Sequence, residues 1–499
     1  MTGDTASDAR LDPAPDQVRA MGAAAIELVA RYLESLEERP LMPVTTRREV
    51  RTELDLALPV EGTDFSSLLE VIESAVIPNM RHNAHPRFFG YIASPGTAAT
   101  ALADLIASTL NPTVTSWRSA PAAAELETMT IDWIKELLGY PESALGLYVS
   151  GGSLANLSAL AVARESALAT SVVKGGLQAT ARPLRLYLAT EGHHSTAKAA
   201  ALLGIGYDNV CPIAVDGEHR MDVDHLIRSL DADLAAGHQP FCVVASAGTT
   251  ATGAVDPLAA IAEVATRYGL WFHVDACYGG FAALSPAIRR TFAGIERADS
   301  VSLDPHKWLY VPGDCGCVIY RDPAPARATF GHAAEYIRVI GQEPPEAFAF
   351  WDYGPELSRR FRALKVWMMF KHVGTRALGE AVEANCECAE YAGRMIAEAE
   401  DLELLAPIGL SVFCFRYVPP GPTEPAEGED ERDRRLNALN EKLLAVLQRQ
   451  GSSYLSNAEV DGRFALRGCV LNYRTTRRDM EILLDDVRRA GAEVVRTHP

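Results

Sequence analysis

LGLYVSGGSLANLSALAVARESAL, residues 145–168, sets the pattern for the whole chain. Its first five residues are an apolar run of strand length, Ser150-Gly151-Gly152-Ser153 is a turn, and from Leu154 the apolar residues recur at helical spacing. The same order repeats downstream. RLYLAT (185–190) precedes the helical STAKAAALLG (195–204), FCVVASAGTT (241–250) precedes PLAAIAEVATRYG (257–269), and LWFHVDACYGG (270–280) opens a further strand. Strands alternating with helices predict an α/β fold with a large, mostly parallel sheet covered by helices. In such a sheet, ligands bind beyond the carboxyl ends of the strands.

Upstream, VRAMGAAAIELVARYLESLEE (18–38) has the spacing of an amphipathic helix, and a second helix follows Asp64. Such a helix needs a surface to cover, and no matching helix precedes it. Downstream of the helical ALKVWMMFKHVG (363–374), a helix over 378–400 alternates with the strands LSVFCFRYV (410–418) and FALRGCVLNYR (464–474). PPGPTEPAEGEDERDRR (419–435) reads as a surface loop before the helix LNALNEKLLAVLQRQG (436–451). The resulting division is a disordered tail (1–15), an N-terminal helical segment (16–84), a large α/β domain (85–375) and a small C-terminal α+β domain (376–499).

The 499 residues are 48% hydrophobic and 22% charged, ample for a buried core, and carry a formal net charge of −18. A surface that acidic is repelled by phosphate backbones, which argues against nucleic acid as a partner. No apolar run is long enough for a membrane-spanning helix, and Met1-Thr2-Gly3-Asp4 lacks the basic and apolar regions of a signal peptide. A cytoplasmic protein without a membrane partner is therefore expected. The nine cysteines include no C-x-x-C pair and no partners at zinc spacing, so buried free thiols in a reducing compartment, and no metal, are expected.

Four places carry potential chemistry. The glycines of the 150–153 turn let a backbone approach a ligand, and a helix start offers N–H groups to an anion, although a plain strand-to-helix turn looks the same. Asp275 ends an apolar strand, where a carboxylate is costly to bury without a cation such as a protonated ring nitrogen; capping a nearby backbone group is the alternative. Lys307 is flanked by His306, Trp308 and Leu309. Apolar surroundings lower an amine's pKa and make it nucleophilic, whereas most lysines are solvated surface groups. His194 follows the strand 185–190 and can stack on a planar ligand, move protons, or be a locally satisfied loop residue.

In order and spacing these residues resemble the group II pyridoxal-phosphate-dependent amino-acid decarboxylases, the family of aromatic-L-amino-acid decarboxylase. The pieces that carry the resemblance are HPRFFGY (85–91), SWRSAPAAAELET (116–128), HVDACYGG (273–280), DPHKWL (304–309) and LSRRFRALKVW (357–367), and it runs from about residue 16 to the end. It implies the aspartate-aminotransferase-like architecture (fold type I), and a homodimer clasped by the N-terminal helices with the active site at the interface. It implies that Lys307 holds pyridoxal 5'-phosphate as a Schiff base, that Asp275 pairs with the ring nitrogen, and that His194 stacks on the ring and meets the substrate. Gly151, Gly152 and Ser153 are implied at the phosphate, and Thr250, Cys277 and His306 against the cofactor. Asp304 stands where the aromatic enzymes carry an Asn near the phosphate, and an acid there repels a dianion.

Tyr91 and Ser94 are implied at the substrate. Tyr336 lies in RATFGHAAEYIRVIGQE (327–343), whose glycines and polar composition read as a mobile lid. The resemblance implies that it supplies the proton after carbon dioxide leaves; relatives with phenylalanine there make aldehydes. The expected reaction is decarboxylation of an L-amino acid to its amine, with an aromatic substrate favoured by Phe88, Phe89 and Tyr91. A non-aromatic substrate or an aldehyde synthase is the alternative, and Lys307, Asp275 and His194 argue against a non-catalytic scaffold.

Overall fold

The computed structural model describes residues 11–54, 57–168, 171–177, 182–331, 348–420 and 428–497. Helices α1 (Pro15–Glu34), α2 (Ala98–Leu110), α3 (Gly152–Ser166), α4 (His194–Leu202), α5 (Thr375–Ala397), α6 (Glu429–Gln450) and α7 (Arg477–Thr497) frame two sheets. The larger contains β1 (Leu145–Val149), β2 (Leu184–Ala189), β3 (Val210–Ile213), β4 (Gln239–Ser246), β5 (Trp271–Asp275), β6 (Ser300–Leu303) and β7 (Gly316–Tyr320), in the order β1-β7-β6-β5-β4-β2-β3. Neighbours from β3 through β6 pair in parallel, and β7 runs antiparallel between β1 and β6.

The sequence dictates this burial. Phe241 to Ala245 in β4 is an unbroken apolar run, buried throughout, as strands covered on both faces require. Helix α3 turns Ala155, Ala159 and Val162 into the same core. The small residues let the helix sit close: a side chain on Gly316, at the start of β7, would come within 2.5 Å of the Gly151 backbone. That contact fixes the turn ahead of α3 against the sheet.

The smaller sheet is antiparallel, in the order β10 (Ser456–Val460), β11 (Arg463–Cys469), β9 (Val412–Tyr417), β8 (Leu402–Leu404). Leu443, Leu447, Leu483, Leu484 and Val487 of α6 and α7 share its core with Ala389 and Ile396 of α5.

Two expectations change. Helix α6 begins at Glu429, so the charged run 429–435 is its first two turns and not loop; Glu429, Asp430 and Glu431 meet the positive end of the helix dipole. The segment at 88–89, expected in the larger unit, belongs with the smaller sheet. Phe89 donates to the Tyr454 carbonyl and accepts from Cys469 N, both at 2.9 Å, and its ring is fully buried in the small core. Most of the expected tail over 1–15 lies outside the described residues.

Candidate active site

Strands β4, β5 and β6 end side by side, with Ser246 opposite Asp275 and Asp275 opposite Ser302. Beyond these ends is a cavity of about 300 Å³. Gly151, Gly152, Ser153, Thr250, Asp275, Cys277, Asp304, His306 and Lys307 all line it, although they come from four separate stretches of chain.

Asp275 is held by neighbours the sequence did not single out. Its carboxylate accepts from Asn156 Nδ2 at 2.8 Å and from the Cys277 backbone N–H at 3.1 Å. Burial alone would push its pKa up, but the Lys307 ammonium and the Asn156 hydrogen bond outweigh it and hold the carboxyl below its ordinary value. Asn156 also donates to Ser195 Oγ at 3.2 Å, while its Oδ1 accepts from Ser302 Oγ at 2.6 Å and meets His273 Nε2 at 3.0 Å. Burial pushes His273 down to about 4, so this ring is neutral and its Nε2–H donates into Asn156.

Lys307 Nζ stands 3.0 Å from Asp304 Oδ2. The lowered pKa expected for this lysine is not found. Burial pulls the amine down, but Asp304, Cys277 and Asp275 outweigh it and hold the amine above its ordinary value. In space the amine stands against carboxylates, and these decide its charge.

The residues present fit a phosphate-bearing ring. Gly152 begins α3, where the first N–H groups lack intrahelical acceptors and the dipole favours an anion. A Cβ at Gly152 would collide with Cys277 Sγ and lie 2.9 Å from Asp304 Oδ2, so only the bare backbone leaves room. Asp304 is 3% exposed, and its Oδ1 has no hydrogen-bond partner among the described residues. Gly152→Ala is expected to weaken cofactor affinity by about tenfold or more, since overpacking costs about 1–3 kcal/mol; a titration of apoenzyme with cofactor measures it.

His194 does not line the cavity. His193 does, and the two rings lie 4.4 Å apart at their centroids. His193 caps α4, with Nδ1 2.7 Å from Ser195 Oγ, and this fixes its ring toward the cavity. Burial lowers its pKa, with Asp275 opposing. Adjacent identical residues cannot be ranked without knowing where the helix starts.

Tyr91 and Ser94 also lie off the lining. Ser94 Oγ donates to the His306 carbonyl at 2.9 Å, and Tyr91, with φ of 60°, packs on Tyr454 at 6.2 Å. Phe88 and Phe89 are core residues and not pocket walls. Tyr336 lies outside the described residues. One buried cation was missed by sequence reasoning: Arg467 donates to the carbonyls of Ala251 and Tyr91, and its Nη2 has no partner among the described residues. Its strand position gave no signal. Among the described residues no cluster of His, Cys, Asp and Glu is arranged to hold a metal, and no helix is long and apolar enough to cross a membrane.

Residues 48–418 match the family model described as the pyridoxal-dependent decarboxylase conserved domain. The chain is 34% identical to an aromatic-L-amino-acid decarboxylase of Bacillus atrophaeus, over 97% of each chain. It is 29% identical to a phenylacetaldehyde synthase of a Rosa hybrid cultivar, over 91% of this chain and 90% of that one. Among solved structures, Oryza sativa TDC with PLP and tryptamine superposes with a TM-score of 0.89 at 29% identity, covering 97% of this chain and 99% of that one.

Proposed function

The chain belongs to the pyridoxal-dependent decarboxylase family, with the fold type I architecture and the pyridoxal phosphate cofactor of that family, and from this premise we propose that it converts an aromatic L-amino acid to its amine and carbon dioxide. The observation that carries the reading is the meeting of Lys307, Asp275 and the Gly152 cradle in one cavity. Similarity over 97% of both chains to a bacterial aromatic-L-amino-acid decarboxylase supports the aromatic substrate.

When bound, the cofactor supplies an electron sink for the pair released as the carboxylate leaves. Lys307 is the amine that holds the cofactor covalently. Gly151, Gly152 and Ser153 hold its phosphate, with His306 and Asp304 beside them. Asp275, kept ionised, is the anion that holds a proton on the ring nitrogen. His193 is the ring-stacking residue, and Thr250 and Cys277 border the ring.

Tyr336 delivers the proton to the carbon that loses the carboxylate, which separates amine formation from the aldehyde chemistry of relatives such as the Rosa enzyme. Tyr336→Phe is expected to cut amine yield by about tenfold or more and to raise aldehyde and peroxide, measured by product chromatography. Unchanged amine yield would remove Tyr336 from this role.

The assembly is a homodimer. Val18, Ile26 and Val29 of α1 and Leu102, Leu105 and Leu110 of α2 are exposed, an apolar surface that a second copy covers. Light scattering checks the mass. The nine free, buried cysteines support a reducing, cytoplasmic compartment. The deciding experiment is carbon dioxide release across the standard L-amino acids with cofactor present. Turnover confined to non-aromatic substrates would overturn the aromatic assignment.

A further inference from the structure

We propose that Glu191 is a positioning residue, held by His219, that locks together the two loops presenting His193 and Thr249 to the cavity. The inference rests on the cavity being the cofactor site. Glu191 lies in the turn between β2 and α4, two residues before His193. One of its carboxylate oxygens is 2.6 Å from His219 Nδ1; the other accepts from Thr252 Oγ1 at 2.8 Å and from Thr249 Oγ1 at 3.5 Å. Thr249 Oγ1 and Thr252 Oγ1 are themselves 2.9 Å apart, and Thr249 lines the cavity in the loop after β4. One carboxylate therefore spans three pieces of chain.

The turn that carries Glu191 has no slack to absorb a shift. A side chain on Gly192 would strike Leu188, and Gly192 N is bonded to the Ala189 carbonyl at 2.8 Å. Movement of Glu191 is thus passed to His193, whose Nδ1 meets Ser195 Oγ, a partner of Asn156 and so of Asp275.

His219 occupies its place at a conformational cost. Its φ of 60° lies in the left-handed region that non-glycine residues seldom adopt, yet its side chain is only 6% exposed. The Asp216 carboxylate fixes the turn by accepting from the backbone N–H groups of Glu218 and Arg220. A buried ring in an unfavourable backbone state, resting on a carboxylate, marks a residue kept for its side chain.

The test compares holoenzymes of Glu191→Gln, Glu191→Ala and His219→Gly with the parent. Glycine takes a φ of 60° without strain, so His219→Gly removes the ring while easing the backbone. Visible-region circular dichroism, which reports how the bound cofactor is held, is expected to change in Glu191→Ala and His219→Gly. Their kcat should fall on the order of tenfold, with KM within about threefold and Glu191→Gln intermediate. Unchanged dichroism and kcat in Glu191→Ala and His219→Gly would overturn the proposal, as would a fall in kcat that merely tracks lost cofactor or a lowered thermal midpoint. A parent protein without a visible band or turnover would instead refute the functional reading itself.

Discussion

Lys307→Ala is expected to lower turnover on the order of a thousandfold or more and to erase the visible band of the lysine-linked cofactor. In the proposed function the amine is the covalent anchor, and no other lysine among the described residues lines that cavity. The alanine variant also strips a cation from Asp304 and Asp275, both at least nine-tenths buried, and an uncompensated buried charge costs about 3–5 kcal/mol. Lys307→Arg separates the two effects. Arginine keeps the positive charge beside Asp304 but does not form the covalent link, so it should keep the parent's thermal midpoint more nearly while losing the band and the turnover together. Retained turnover in both variants would rule out Lys307 as the anchor.

Asp275→Asn should leave the visible band in place and still cost about 10²–10³ in kcat, or roughly 3–4 kcal/mol of charge stabilisation. The amide is nearly isosteric, so the shape of the site survives. What disappears is the negative charge, held ionised here by Lys307 and Asn156 against the pull of burial. Steady-state rates at saturating substrate and cofactor, with cofactor content measured in parallel, check this result. A variant within threefold of the parent would show that the ring nitrogen needs no anion at this position. The contrast between the two substitutions is informative: one removes the attachment, the other leaves it intact and removes the charge that makes it useful.

Much of this was readable in the sequence, and the misses have physical causes. The strand-turn-helix pattern at 145–168 and the strands at 241–250 and 270–280 are continuous apolar runs, so they announced the sheet and the edge where the cavity forms. Gly152, Asp275 and Lys307 stood at strand or helix ends, where a polar residue in an apolar context is conspicuous. Asn156 did not stand out, because it is one polar residue inside the helical run GSLANLSALAVA, and its role depends on four partners far away in sequence, three on β5 and β6 and one on α4. His193 and His194 differ in which of them caps α4 and lines the cavity, and the sequence does not mark the cap. The charge on Lys307 was misjudged because flanking residues were taken for surroundings, whereas Asp304 and Asp275 decide it. Phe89 looked like a pocket wall because the segment's hydrogen bonds to β11 and to Tyr454 cross more than 360 residues.

That last contact has a mechanical consequence. Phe89 is pinned to the small sheet through Tyr454 and Cys469, while Ser94, five residues later, is pinned to the carbonyl of His306, next to Lys307 in the chain. Five residues reach at most about 17 Å when fully extended. The stretch from Phe89 to Ser94, with Tyr91 in its middle, is thus a short tether between the two sheets, fastened at the lysine loop. A displacement of the small sheet at Tyr454 and Cys469 therefore has only this short span of chain between it and the loop that carries Lys307.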